Sequence, residues 1–303
     1  MIAALLTSLA FAASGVCGGR LSAPLGGIHA NAIRSFLAMA VLSIYACFLG
    51  QGLTGAGLGM LAFSGLIGFG IGDMALFQSY QRIGSRLAIL ICQCLAVPIA
   101  ALTEWVWMGT ALTAIQLVLA TVILVGVSLA LAPSDHLHLP KGTLRAGIFF
   151  GVIAAFGQGW GAVLSRRAYE LNAMEGASVD ALTVTFQRMI GGIAWILPFY
   201  LIYLIHQRTY HRSQLLRLTK LRQLWPWLLG SGIAGPVIGV ALYQWALATT
   251  ASAVVLAIVA TTPIVIMPLT YWIDRDRPSP RAILGAIISV LGVIGLLMFG
   301  TSR

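Results

Sequence analysis

The chain has 303 residues, 59% hydrophobic and only 9% charged, with 18 Lys and Arg against 8 Asp and Glu for a formal net charge of +10. Soluble domains carry roughly 25% charged residues, so this composition, with a mean hydropathy of +0.94, excludes a soluble globular protein and points to an integral membrane protein. The positive balance does not indicate nucleic acid, because the basic residues gather in short loops beside apolar stretches, where they orient the chain and meet anionic headgroups.

Charge-poor stretches of about 18 residues or more read as transmembrane helices. Ten can be placed, at 2–19, 28–49, 57–79, 85–105, 111–132, 145–166, 178–205, 224–247, 251–273 and 279–300. The first follows no basic n-region (Met1-Ile2-Ala3) and its counterpart at 145–166 is internal, so it reads as a span and not as a cleaved leader. The polar, proline-flanked run Pro133-Ser134-Asp135-His136-Leu137-His138-Leu139-Pro140 separates five spans from five. The expected division is 1–133, a linker 134–144, and 145–303.

The two halves repeat one another. Ser64-Gly65-Leu66-Ile67-Gly68-Phe69-Gly70-Ile71-Gly72 returns as Ser231-Gly232-Ile233-Ala234-Gly235-Pro236-Val237-Ile238-Gly239, and Leu102-Thr103-Glu104-Trp105 returns in the same register as Leu269-Thr270-Tyr271-Trp272. Such a period is far longer than that of solenoid repeats. Five is odd, so the second half must enter the membrane from the opposite face. The expected fold is therefore an all-α membrane protein of ten transmembrane helices, built as two five-helix inverted-topology repeats around a central cavity.

Further matches join the halves: Cys17-Gly18 with Trp160-Gly161, Ser22 with Ser165, Arg34 with Arg188, and Gly126-Val127 with Gly292-Val293. With these residues the chain resembles the ten-helix, EamA-type branch of the drug/metabolite transporter superfamily over nearly its whole length. The resemblance implies four helices of each half around a central cavity, with the fifth and tenth outside. Two departures stand out. Cys17 replaces the Trp expected in the first helix, and neither Gly109-Thr110-Ala111-Leu112-Thr113 nor Arg275-Asp276-Arg277-Pro278-Ser279 keeps the Glu of the turn before each fifth helix.

Ionisable groups inside spans are costly and therefore informative. They are Arg34, Asp73, Glu104 and Arg188. Arg34 and Asp73 lie at matching depth on one membrane side and are expected to pair. Val240 occupies the position equivalent to Asp73, so Arg188 lacks the corresponding acid. It either pairs near the loop with Asp180 or Glu175, or faces the cavity as a free guanidinium for carboxylate or phosphate. Tyr80, Gln93, Gln158, Trp160, Gln187, Tyr243 and Gln244 complete the expected substrate-binding set, an aromatic and amide lining suited to a small amphipathic metabolite. For each amide, bonding between helices is the alternative. The Gly-x-x-x-Gly pairs Gly68/Gly72, Gly157/Gly161 and Gly235/Gly239 read as close helix contacts.

Cys17, Cys47, Cys92 and Cys94 read as buried free thiols, and the five histidines lie in or near loops without a ligand set, so neither a metal nor another cofactor is expected. No phosphate loop, nucleophile elbow or dinucleotide fingerprint occurs, which argues against an enzyme and against direct use of ATP. The reading is a secondary transporter, an exporter of a small organic solute in a bacterial-type cytoplasmic membrane, working by alternating access. It would draw on a proton gradient or on a counter-substrate, as a monomer or homodimer with lipid as its other partner. A carrier of lipid-linked or phosphorylated sugar and a non-transporting membrane partner or sensor are the alternatives. The charge bias places both termini outside, whereas the family resemblance implies both inside. The halves are expected to superpose through an axis in the membrane plane, and parallel halves in a structure would overturn that expectation.

Overall fold

In a lipid bilayer each backbone N–H and C=O must be satisfied within the chain, which leaves helices as the solution for apolar stretches of this length. In a computed structural model, described over residues 1–109, 113–131, 140–210, 218–274 and 279–299, every regular element is helical. In chain order these are α1 (Ile2–Leu25), α2 (Gly27–Phe48), α3 (Leu58–Gly65), α4 (Asp73–Thr103), α5 (Ala114–Leu131), α6 (Lys141–Met174), α7 (Ala181–Tyr210), α8 (Leu218–Gly232), α9 (Val240–Thr249), α10 (Ser252–Val259), α11 (Thr262–Asp274) and α12 (Pro280–Phe299). Three π-helical segments join some of them end to end: π1 (Leu66–Gly72), π2 (Glu104–Met108) and π3 (Ile233–Gly239). Among the described residues, seven stretches are long and apolar enough to cross a membrane, and Ala114–Gly126 and Ile283–Gly295 are shorter apolar helices.

Several boundaries differ from the sequence expectation, each for a local reason. The α1–α2 connection is the single residue Gly26, whose φ of 80° only glycine adopts freely, and Gly27 N–H donates to Gln81 Oε1 at 3.0 Å. The third and fourth expected spans form one 50-residue helical stretch, Leu58–Trp107, turned at Gly84 (φ 78°, ψ 163°). The ninth expected span is broken into α10 and α11 ahead of Pro263, which lacks an N–H to continue the ladder. Thr261 Oγ1 donates to Ile258 O (2.8 Å) and Thr262 Oγ1 to Val259 O (2.5 Å), so carbonyls at the break stay satisfied. Of the four thiols only Cys92 is buried, and Cys47 is exposed. His29 lies in the first turn of α2, beside the Gly26 connection, where it is buried with its Nδ1 2.7 Å from Tyr200 Oη. Most of the linker, including His136 and His138, and the turns at 110–112 and 275–278 lie outside the described residues.

All eight residues of α10 are buried, so this short helix forms the axis of the largest apolar cluster. Exposed Trp105, Trp107 and Trp245 stand toward one end of the bundle and Trp225, Tyr271 and Trp272 toward the other, as interfacial aromatics do. Helices matched in sequence run antiparallel where they meet. Tyr45 of α2 bonds to Asp180 before α7 while His29 at the other end of α2 bonds to Tyr200. In α5 and α12, Gly126 meets Ser289 and Gly292 meets Ile123.

The tightest packing joins α3 and π1 to α6 and α7. A Cβ added to Gly157 of α6 would lie 2.5 Å from Gly72 Cα, and one added to Gly65 would collide with the Arg188 carbonyl of α7. Backbone cannot yield as a side-chain tip can. Gly65→Ala is expected to destabilise the protein by about 1–3 kcal/mol or more, as overpacking does. Gly59→Ala, whose Cβ would meet nothing within 4 Å, is expected to leave the melting temperature in detergent unchanged. Equal melting temperatures for the two variants would show that this crossing is not tight.

Candidate functional site

Glycine-rich π segments create the site because they bring backbones, not side chains, to the crossings. π1 of the first half packs on α6 and α7, and π3 of the second half packs on α1 and α2. The repeat-related contacts correspond: Gly65 and Gly68 face Arg188, while Gly232 and Gly235 face Arg34. Each arginine is the seventh residue after the first of its helix (Gly27 of α2, Ala181 of α7), about 10 Å deep at 1.5 Å per residue. The two guanidiniums therefore approach the middle of the bundle from opposite ends.

Between them lies a cavity of about 70 Å³, lined by Phe11, Arg34, Asp73, Tyr80, Gln93, Gln158, Arg188 and Tyr243 among others. Ligand pockets usually measure about 300–1,000 Å³, so in this state the cavity holds little more than water. Arg34 and Asp73 are bound to each other through Arg34 Nη2 and Asp73 Oδ2, as their matching depth predicts. The Arg34 guanidinium also lies over Phe77, 4.5 Å from the ring centroid.

Arg188 has no such partner. It is 5% exposed, its Nε is buried without a hydrogen bond, and no carboxylate pairs with it among the described residues. Its Nη2 lies in a slot between two glycines, 2.9 Å from a Cβ added to Gly68 and 3.1 Å from one added to Gly161, with Phe69 5.2 Å away under the guanidinium. The acids that could have neutralised it are occupied or distant. Asp180 caps α7, accepting from Leu182 N (3.0 Å), Thr183 N (3.0 Å), Thr183 Oγ1 (2.5 Å) and Tyr45 Oη (3.0 Å). Burial pushes the Asp180 carboxyl up, but these bonds, Thr183 first, outweigh it and hold it below the usual carboxylate range. Glu175 lies past the end of α6 and makes no ion pair with Arg188.

With Asp73 neutralising Arg34, the ionised groups lining the cavity sum, among the described residues, to one positive charge, carried by Arg188. Buried donors without partners point the same way: Gln158 Nε2 and Tyr243 Oη, both from cavity-lining residues, join Arg188 Nε. Buried polar groups are nearly always hydrogen-bonded, so these donors are placed to receive an acceptor, while Gln93 Oε1 in the same lining is a buried acceptor without a partner.

Three expected lining residues lie elsewhere. Trp160 is 45% exposed on the outer face of α6. Gln187 is fully buried and donates its amide to Gly52 O and Thr54 O, both at 2.9 Å, fastening the 49–57 loop to α7. Gln244 is fully buried without a partner and is not among the cavity residues. On a helix, neighbouring positions differ by about 100° of rotation, so sequence placed these side chains in the right turn but not on the right face. Glu104 has a structural setting: 1% exposed, it pairs with Arg166 (2.6 Å) and accepts from Ser252 N (3.0 Å) and Ala253 N (3.4 Å) at the start of α10. Ser14 and Thr262, which sequence reasoning missed, also line the cavity. Only the repeat could have signalled Ser14, as the counterpart of Gly157.

The sequence profile of the EamA-like transporter family matches residues 1–132 and again 145–298. None of the curated proteins matches the chain. One solved structure, described simply as the crystal structure of a protein, superposes on 100% of this chain and 99% of its own with a TM-score of 0.70. At 16% identity the likeness concerns the fold alone.

The Arg34–Asp73 pair gives a direct test of the site's electrostatics. Removing one partner of a buried pair typically costs about 3–5 kcal/mol. Asp73→Asn is therefore expected to lower the melting temperature, and adding Arg34→Gln is expected to recover part of the loss. Additive losses in the double variant would show that the two side chains do not stabilise one another.

Proposed function

This chain belongs to the EamA-like transporter family of the drug/metabolite transporter superfamily, and from that premise we propose that it exports a small, amphipathic, anion-bearing metabolite by alternating access. The observation that carries the reading is Arg188: a guanidinium buried in a cavity, without a paired carboxylate among the described residues, beside further unpaired donors. An uncompensated charge at that depth is costly, and a carboxylate or phosphate bound through the planar fork removes the cost. Tyr80, Tyr243 and Phe11 supply apolar surface for the rest of the solute, and Gln93 and Gln158 supply polar contacts. A phosphorylated or lipid-linked sugar is the second reading, favoured by the same fork, which fits phosphate as well as carboxylate.

The proposed architecture is ten spans in two inverted repeats, residues 1–133 and 145–303, joined by the linker 134–144. It is supported by the turn at Gly84, which divides the 50-residue stretch into two spans, and by the two shorter apolar helices. The antiparallel pairing of α2 with α7 and of α5 with α12, and the equivalent positions of π1 and π3, support the inversion. Rocking of one half on the other about the glycine crossings would open the small cavity to each side in turn. The sequence contains no nucleotide-binding motif, so the energy comes from an ion gradient or from exchange across the cytoplasmic membrane.

Thermal stabilisation of the purified protein by panels of carboxylates, phosphates and cationic amines identifies the ligand class, and flux in proteoliposomes tests transport. Anionic or zwitterionic ligands are expected to stabilise the wild type. Arg188→Lys, which keeps charge but loses the fork, weakens their binding. Arg188→Gln weakens it further, by about tenfold or more, the scale of a charged hydrogen bond. Cations bind all three proteins alike. Unchanged affinity in both variants would refute the anion site, and binding without flux would favour a sensor or partner role.

A further inference from the structure

Among the described residues, the cavity provides two repeat-related guanidiniums and a single carboxylate. Arg34 and Arg188 both line it, Asp73 lines it between them, and Val240, the counterpart of Asp73, lines it without charge. Asp73 is bound to Arg34, yet Asp73 and Arg188 are within electrostatic reach of one another. The Asp73 side chain is 22% exposed, against 6% for Arg34, and Arg34 is its hydrogen-bond partner among the described residues. Arg34 also lies over the Phe77 ring, so among the described contacts Asp73 is the end of the pair with fewer ties.

The backbone below Asp73 is built to turn. Asp73 opens α4 directly after π1, seven residues whose wider turns are an unusual helical state often found at functional sites. Moving such a widened turn by one residue rotates the next stretch of helix by roughly 100°. Gly68 and Gly72 face Gly161 and Gly157 across the tight crossing with α6, so that rotation requires the two backbones to draw apart there.

We propose that Asp73 is a switching counterion, which pairs with Arg34 in the receptive state described here and transfers to Arg188 when the cavity is empty and reorients. The inference rests on Arg188 being the anion site. It adds that Arg188 is neutralised by the solute's anionic group on the loaded crossing and by Asp73 on the empty return. Asp73 thus acts as an internal competitor of the solute, and it is a positioning residue, not a contact for the solute. An uncompensated guanidinium would oppose movement through a low-dielectric bundle in either direction.

Acetate, the smallest solute-like carboxylate, serves as the probe, with chloride at equal ionic strength as the control. The half-effect concentration for acetate stabilisation of the purified full-length protein is read from its melting temperature. Arg34→Gln frees Asp73 to occupy Arg188 and is expected to weaken acetate binding at least tenfold. Arg34→Gln with Asp73→Asn preserves the net charge of the cavity but removes the competitor, and is expected to bind acetate about tenfold more tightly than wild type. A fixed Arg34–Asp73 pair predicts equal binding by wild type and the double variant, so agreement within twofold overturns the proposal, as does an absence of acetate stabilisation in both. If the double variant does not fold, the Arg34→Gln result stands alone, and unchanged binding there also overturns it. Arg188→Gln should abolish the acetate effect in every background. Acetate stabilisation that survives Arg188→Gln would refute the anion site itself, a failure separate from that of the switch.

Discussion

Everything at the centre of this protein depends on backbones approaching without intervening side chains. Gly65 of α3, with Gly68 and Gly72 of π1, on one side and Gly157 and Gly161 on the other let α3 and π1 lie against α6 and α7. Lipid supplies no hydrophobic drive for helix association, so contacts of this kind hold the bundle together by close van der Waals fit. The same glycines decide where Arg188 can point. Side chains at Gly68 or Gly161 would fill the slot in which its guanidinium lies.

The electrostatic character of the cavity results from that constraint. Two arginines enter at equivalent positions because the halves are related, but only the first half supplies an acid. Symmetry thus places the charges and its failure leaves one of them open. Asp180, the nearest alternative partner in sequence, is committed to capping α7 by bonds from Thr183, Leu182 and Tyr45. An acid held there cannot also reach a guanidinium two turns further along the same helix.

Two other buried polar side chains, Glu104 and Gln187, tie elements of the bundle together. Glu104, at the start of π2, joins the end of the Leu58–Trp107 stretch to Arg166 of α6 and to the first amides of α10. Gln187 holds the 49–57 loop, which Gln51 and Asn172 also fasten through bonds to Ser178 and Gly57. These ties lie near one end of the bundle, close in sequence to Arg188, and link the position of that arginine to the loop above it.

Much of this organisation is legible in the sequence. Composition alone requires membrane helices, because so few charges cannot solvate a soluble surface. The recurrence of Ser64–Gly72 at Ser231–Gly239 reveals two related halves. The scarcity of ionisable residues in apolar stretches selects Arg34, Asp73, Glu104 and Arg188, and depth along the spans suffices to pair Arg34 with Asp73. Three things required the tertiary structure. A residue's face on its helix separates Tyr243, which lines the cavity, from Gln244, which does not, and a single step in sequence rotates a side chain by about 100°. The π segments and the break before Pro263 carry no residue signature distinct from glycine and proline use in general. The isolation of Arg188 is decided by where other helices bring their acids, a property of neighbours far away in sequence and thus invisible to any local reading.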